Sequence, residues 1–464
     1  MNRNKNIWII WSALVAIVVI YFGYTLLEGE DRTVFVPGEM TGGHHQIGIA
    51  CDACHGESFT DMDAMQKTCE SCHGDQRKKP FDSHPRSKFT DPRNADRLEN
   101  INALYCVTCH VEHKPELADK TGVTQPADFC IHCHADVGEN RPSHKDMEFA
   151  TCASAGCHNY HNNRSLYTDF LVKHMDAPAL LDSRTVPEKE YASVLDEIMS
   201  YPHDRYPVKK IGLKDIDAPI KIQFKTTDEV RHDWMSTAHA KSGANCSACH
   251  MLVIDDKEPV WTDKPDHRAC AQCHDIEVKH FTQGKHGMRL AQGLSPMTPA
   301  MARLPMNEEA IDKELGCNSC HQAHEYKLDT ASVDACLGCH ADEHSQSYKT
   351  SPHYDLWLKE QAGELPEGSG VSCATCHMPR VDVDVNDWLR RTVVQHNQNA
   401  NLVPNEKMLR SACLNCHGLP FAIDSLADQQ LVNKNFRGKP QVHIESVDLA
   451  RKDYLRHLDK TGGE

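Results

Sequence analysis

Ten copies of Cys-x-x-Cys-His and one stretched copy constrain this chain more than any other feature. The ten are Cys51-Cys54-His55, Cys69-Cys72-His73, Cys106-Cys109-His110, Cys130-Cys133-His134, Cys246-Cys249-His250, Cys270-Cys273-His274, Cys317-Cys320-His321, Cys336-Cys339-His340, Cys373-Cys376-His377 and Cys413-Cys416-His417. The stretched copy, Cys152-x4-Cys157-His158, has four intervening residues. Eleven motifs use all 22 cysteines, so none remains for a disulfide framework or a nucleophile. Cys-x-x-Cys-His is the attachment signature of haem c. The two thiols add across the vinyl groups, and the adjacent histidine then sits under the iron as its proximal ligand. Zinc is one alternative, since each motif offers three ligands and a structural zinc takes four. Redox dithiols are another. Neither explains why histidine follows the second cysteine eleven times. The expected cofactor is haem c, eleven copies, covalently attached.

The proximal histidines account for eleven of 31, leaving 20 for other work. Eleven irons take at most eleven distal histidines. His113, His161 and His324 follow their motifs as C-H-x-x-H, and His44 and His45 lie just ahead of the first motif. His84, His144, His174, His232, His239, His280, His286, His353 and His396 are the further candidates. His132 and His267 sit inside or against a motif, and His443 and His457 in the tail read as structural or surface residues. Two axial imidazoles keep iron six-coordinate and low-spin, at lower potential than a His/Met pair. Met288, Met297, Met301 and Met306 could supply a Met ligand, but methionine more often fills irregular gaps.

Motif spacing divides the chain. Five motifs lie between Cys51 and His158 and six between Cys246 and His417, with 87 motif-free residues from Asn159 to Asn245. The expected domains are residues 31–176 with five haems, a haem-free connector over 177–230 and a six-haem domain over 231–464. The connector holds a helical patch at Glu188–Met199 and a short strand at Ile220–Phe224. About 40 residues per haem is too few for ordinary apolar cores, so the porphyrins supply much of the interior. The fold class that follows is mainly α with extensive haem-wrapping loops and almost no sheet. Helical patterns run over Val230–Lys241, Ala300–Leu315, Tyr354–Ala362, Ala422–Leu431 and Ile444–Leu458.

Ile7 to Leu27 is 21 residues without a charge, long enough to span a bilayer. No small-residue cleavage pattern follows it, so a retained anchor is favoured over a cleaved signal. Arg3 and Lys5 precede it and acids follow, which orients the N-terminus to the cytoplasm and residues 31–464 to the periplasm of a bacterial inner membrane. The formal net charge of −16 argues against nucleic acid as a partner.

Residues 34–172 resemble cytochrome c3/c7-type modules. The residues that carry this are Gly43-His44-His45-Gln46-Ile47, the C-H-x-x-H of His110 and His113, and the stretched motif with His161. With the anchor, this half also resembles the pentahaem subunit of alternative complex III, which implies electron exchange with a quinol-oxidising or other respiratory membrane complex. Residues 232–417 resemble the hydroxylamine oxidoreductase and cytochrome c nitrite reductase superfamily. The markers there are Trp234-Met235-Ser236-Thr237-Ala238-His239, Gly284-Lys285-His286-Gly287, Cys317–His324, Ser351-Pro352-His353 and Cys373–Pro379. This half has six motifs rather than eight, and no lysine-ligated motif. The resemblance therefore implies a haem-packing core more than an activity.

Three functions compete. The first is an anchored periplasmic cytochrome that carries electrons between a membrane quinol-side partner and a periplasmic redox protein. The second is an oxidoreductase acting on hydroxylamine, nitrite or a sulfur oxyanion at one haem with an open coordination position. The third is a haem store or scaffold without redox function.

Overall fold

The computed structural model describes residues 2–27, 33–56, 61–78, 81–119, 121–141, 144–145, 147–150, 152, 159–162, 168–184, 186, 228–252, 258–386, 389–398, 400 and 408–461. Cys157, His158 and both elements expected in the connector lie outside these residues. The chain forms two compact units, residues 1–74 with 86–126, and residues 75–85 with 127–464. Compactness thus groups the first three motifs together, whereas the long motif-free gap groups the first five.

Helices dominate, and most are one to three turns long. The reason is local: a Cys-x-x-Cys-His motif is itself one helical turn, and the chain then leaves to wrap the next site. The first helix, Asn2–Leu27, is apolar and exposed along its length, with Lys5–Thr25 long enough to cross a membrane. A signal sequence would meet the same criterion. The helix Met62–Lys78 is longer than haem-wrapping loops lead one to expect. Asp61 caps it by accepting from Ala64 N at 2.7 Å, and Arg77 and Lys78 complement the dipole in its last turn.

In the second unit the expected helix Val230–Lys241 appears as Asp228–Ser236 and Ala238–Lys241, divided at Thr237, which caps the second piece. Tyr354–Ala362 appears as Pro352–Gln361, and Ile444–Leu458 as Ser446–Thr461. The pattern over 422–431 appears as Leu419–Ala427 and Gln429–Asn433. Asp428 interrupts it, its carboxylate accepting from Leu431 N at 3.0 Å and Gln441 N at 2.8 Å. The pattern over 300–315 is not a helix. Only the turns Pro299–Met301 and Glu308–Ala310 form. Pro305 cannot donate within a helix. The backbone here instead serves a motif, with Asn307 N donating to Cys339 O at 2.8 Å and Ala341 N to Pro305 O at 3.0 Å. Among the described residues, strand is confined to two antiparallel pairs, Met251–Leu252 with Val260–Trp261, and Arg380–Asn386 with Leu389–Val394.

The main apolar cluster joins distant segments. Leu171 packs with Leu409, Leu419, Ala422, Ile423, Val447 and Ala450. The helix Thr168–His174 therefore packs with the C-terminal helices, although the sequence places it at the end of the first haem domain. The start of the expected connector continues this docking. Gly418 N donates to Pro178 O at 3.0 Å and Leu181 N to Cys416 O at 2.8 Å. A side chain at Gly418 would collide with the Ala177 and Pro178 carbonyls.

Two predictions follow from this packing. Leu419→Ala, at a fully buried position, should cost about 2–5 kcal/mol, read as a lowered urea midpoint. His443 bridges Asp424 and Asp448 at 3.0 and 2.8 Å, and these hydrogen bonds raise it to about 9. Its contribution is therefore complete below its unfolded value near ~6.5 and is lost as pH rises through about 9. Amide exchange in Ser446–Thr461 should speed up across that window, and His443→Ala should remove the dependence.

Candidate haem-attachment sites

The motif geometry comes from the α-helix itself. Residues three and four apart share a face, so both thiols and the histidine of a Cys-x-x-Cys-His turn emerge on one side. The turn is closed by the histidine amide, which donates to the carbonyl of the first cysteine at 2.9 Å in the His55, His110 and His340 motifs and at 2.8 Å in the His274 and His417 motifs. Asn245 and Ser372 cap the turns that begin at Cys246 and Cys373.

Nine motif histidines face a second histidine. Ring-centre distances are 6.5 Å for His55 and His113, 5.8 Å for His73 and His44, and 6.0 Å for His134 and His84. They are 6.1 Å for His250 and His324, 6.0 Å for His274 and His239, and 6.3 Å for His321 and His396. The remaining three are His340 with His286 at 6.3 Å, His377 with His344 at 6.0 Å and His417 with His353 at 6.3 Å. Imidazole nitrogen bonds a first-row metal at about 2 Å, and the ring centre lies about 1 Å beyond, so two imidazoles on opposite sides of one metal have centres about 6 Å apart. The observed spacings match that value. Among the described residues, no group of three or more His, Cys, Asp or Glu converges as zinc would require.

Hydrogen bonds at the other ring nitrogen fix the tautomer. Nδ1 of His113 donates to Gly38 O at 3.0 Å, that of His344 to Val432 O at 2.5 Å and that of His396 to Val394 O at 2.9 Å. His84 donates likewise to the Tyr160 carbonyl. On the motif side, His110 donates to Gly122 O at 3.0 Å, His250 to Thr262 O at 2.7 Å and His417 to Ala179 O at 2.9 Å. An Nδ1 committed to a carbonyl leaves the Nε2 lone pair for a metal. His44 instead donates to Glu112 at 2.7 Å. Burial alone would raise Glu112, but hydrogen bonds from His44 and Thr41 hold it at about 2. Burial lowers both His286 and His353 to about 4, so these imidazoles are neutral, as ligands must be.

The thiols record which sites adjoin. The free thiols of Cys69 and Cys106 are neighbours, as are those of Cys130 and Cys152, Cys270 and Cys317, and Cys336 and Cys373. Electrostatic neighbours extend the series, with Cys249 beside Cys270, Cys320 beside Cys336 and Cys376 beside Cys416. From Cys246 to His417 the motifs therefore adjoin one another in sequence order. Burial pushes the Cys376 thiol up to about 11 and that of Cys413 to about 12, so neither is a ready thiolate.

Among the described residues, His232 and His174 stand away from the described motif histidines, and the other candidates have the neighbours that follow. His232 is exposed beside Asp233. His174 packs on Phe170 at 4.5 Å, and His45 bonds Gly42 O at 3.1 Å. His161 lies 3.3 Å from Asp82 with its ring against Tyr160. His144 lies beside Gly138, and His280 is on the helix Asp275–Gln283. His344, which faces His377, lies outside the patterns that mark the other candidates. Its signal is His340-Ala-Asp-Glu-His344, one residue longer than C-H-x-x-H. Of the four methionines in the Met-rich stretch, Met297 is buried and Met301 exposed.

The cytochrome c3 family model matches residues 43–135 and again residues 238–341, together under half of the chain. The likeness expected of the first half thus extends into the second. A cytochrome c-552 of Haemophilus ducreyi is 26% identical over 136 residues, 24% of this chain and 26% of that protein, so the chain spans about a quarter of that relative. No solved structure matches the chain.

The described residues fit haem c, with paired thiols on one side of the described motif turns and nine motif histidines opposed by a second imidazole. If His344 completes the His377 site, His344→Ala should leave the haem content unchanged and convert one haem to high-spin ferric iron in the EPR spectrum. The motifs, the histidines that face them and the match of one family model to two segments of the chain all support reading it as a multihaem cytochrome c.

Proposed function

We propose that the chain is a membrane-anchored cytochrome carrying eleven haems that passes electrons between a membrane quinol-side partner and a periplasmic acceptor. The observation that carries this reading is the set of nine motif histidines that each face a second histidine with ring centres 5.8–6.5 Å apart. Haem c, when attached, supplies one-electron iron chemistry. The residues do the rest. The thiols would fix its position, the histidine pairs would ligate the iron, and the hydrogen-bonded carbonyls keep the rings from turning. At the nine sites where such a pair is described, no coordination position would remain for a substrate. That favours conduction over the oxidoreductase reading, in which one haem stays open to hydroxylamine, nitrite or a sulfur oxyanion.

The Asn2–Leu27 helix supports anchoring, with the rest of the chain in the periplasm. The net charge of −16 grows more negative with two propionates per haem, which suits a basic partner.

Three measurements test the proposal. The intact mass of the purified chain should exceed that of the apoprotein by eleven haems. On an electrode, all of the iron should exchange electrons reversibly, and a fraction that never couples would break the conduit. The rate of reduction by a basic c-type cytochrome used as probe should fall as salt rises. If about one haem in eleven is instead high-spin in the untouched protein and binds nitrite, the oxidoreductase reading takes over.

A further inference from the structure

The two family-matching segments contain the same ligand wiring, although their motif spacings differ. In each copy, the histidine facing the second motif comes from seven residues ahead of the first cysteine: His44 before Cys51, and His239 before Cys246. In each, the histidine facing the fourth motif lies between the second and third motifs: His84 for His134, and His286 for His340. In each, the first motif is faced by the C-H-x-x-H histidine of the third: His113 for His55, and His324 for His250. The thiols repeat as well. Cys69 meets Cys106 as Cys270 meets Cys317, and Cys54 neighbours Cys72 as Cys249 neighbours Cys273. A permutation this specific does not follow from merely having several motifs, because each ligand could have come from many places.

Ring orientation adds an independent observation. The planes of His55 and His113 are 22° apart, and those of His250 and His324 are 17° apart. The other seven pairs range from 37° to 82°. The two parallel pairs share a cause. His113 and His324 both hold left-handed backbone, with φ of 62° and 71°. That conformation is uncommon for residues other than glycine and persists only where surroundings enforce it. At His113 the enforcement is visible, because its Nδ1 bonds Gly38 O and its carbonyl lies where a side chain at Gly38 would be. Close approach at Gly38 therefore holds both the backbone and the ring of this ligand.

We infer that the chain contains two copies of one four-site module, and that in each copy the left-handed C-H-x-x-H histidine holds its ring parallel to the first motif's histidine, making the His55 and His250 sites a matched pair distinct from the other seven described pairs. This rests on the bis-histidine reading above. Axial imidazole orientation sets the splitting of the iron d orbitals. Parallel planes give a rhombic low-spin signal, whereas crossed planes give a strongly anisotropic one.

EPR of the oxidised full-length holoprotein tests this: a rhombic low-spin component should integrate to at least two haems. His324→Ala should remove one haem from it and create one high-spin haem. His113→Ala combined with His324→Ala should remove two haems from it. His239→Ala should also create one high-spin haem but leave the rhombic component intact. Gly38→Ala, which keeps every ligand, should shift one haem of the rhombic component toward the anisotropic class. A rhombic component unchanged by the double substitution, or reduced in His239→Ala, would overturn the inference. Failure of both His324→Ala and His239→Ala to create high-spin iron would instead sink the bis-histidine reading beneath it.

Discussion

Every other feature of this molecule depends on two imidazoles held about 6 Å apart on opposite sides of one metal position. One member of each pair is local, delivered by the same helical turn that carries the thiols. The other comes from elsewhere in the chain, 58 residues away for His55 and His113 and 75 for His321 and His396. Each pair is thus a potential tertiary cross-link as well as a redox site. Cross-links that close loops of this length remove much of the freedom of the unfolded chain. This explains how the chain manages with so little apolar interior. Among the described residues the core reduces to the cluster around Leu409 and Leu419 and a smaller one around Val333, Leu337 and Tyr348. Regular structure is short for the same reason. A helix need only last one turn to present a motif, and the connecting backbone is then free to serve the neighbouring site, as Pro305 and Asn307 do for the His340 motif.

What the sequence reveals follows the same division. The attachment half of each site is local in sequence, so the thiols and the motif histidines can be read directly. The facing half is set by topology. C-H-x-x-H marks His113 and His324 as ligands, but their partners are His55 and His250 rather than the motifs they follow. His344 escapes that pattern by one residue, and its partner His377 belongs to the next motif. His232 and His174 fit the statistics of a histidine-rich chain but stand at solvent and on Phe170. The pattern over 300–315 has the period of a helix but not its hydrogen bonds, because a neighbouring motif takes the backbone groups a helix would use.

Domain organisation shows a further limit of linear reading. A gap without motifs looks like a linker, yet its first residues dock on the last motif, with Ala179 O accepting from His417 Nδ1 and Pro178 O from Gly418 N. The segment 168–181 thereby carries the chain from the fifth motif to the eleventh. Nothing in its composition announces this, since Leu171 is one apolar residue among many and the contact is made through backbone carbonyls.

Irregular spacing also hides the repeat. The first and second motifs are 18 residues apart in one copy and 24 in the other, and the second and third are 37 and 47 apart. In a packed apolar core such insertions would have to preserve surface complementarity along the whole element. Here only a few points are fixed, namely the thiols, the two ring nitrogens and the carbonyls that orient them, and the loops between are free to vary in length. A site that constrains a handful of atoms strongly and the rest weakly keeps its wiring while its sequence drifts. That is why the histidine permutation matches between copies whose spacings do not, and why parallel rings recur at His113 and His324 on the same strained backbone.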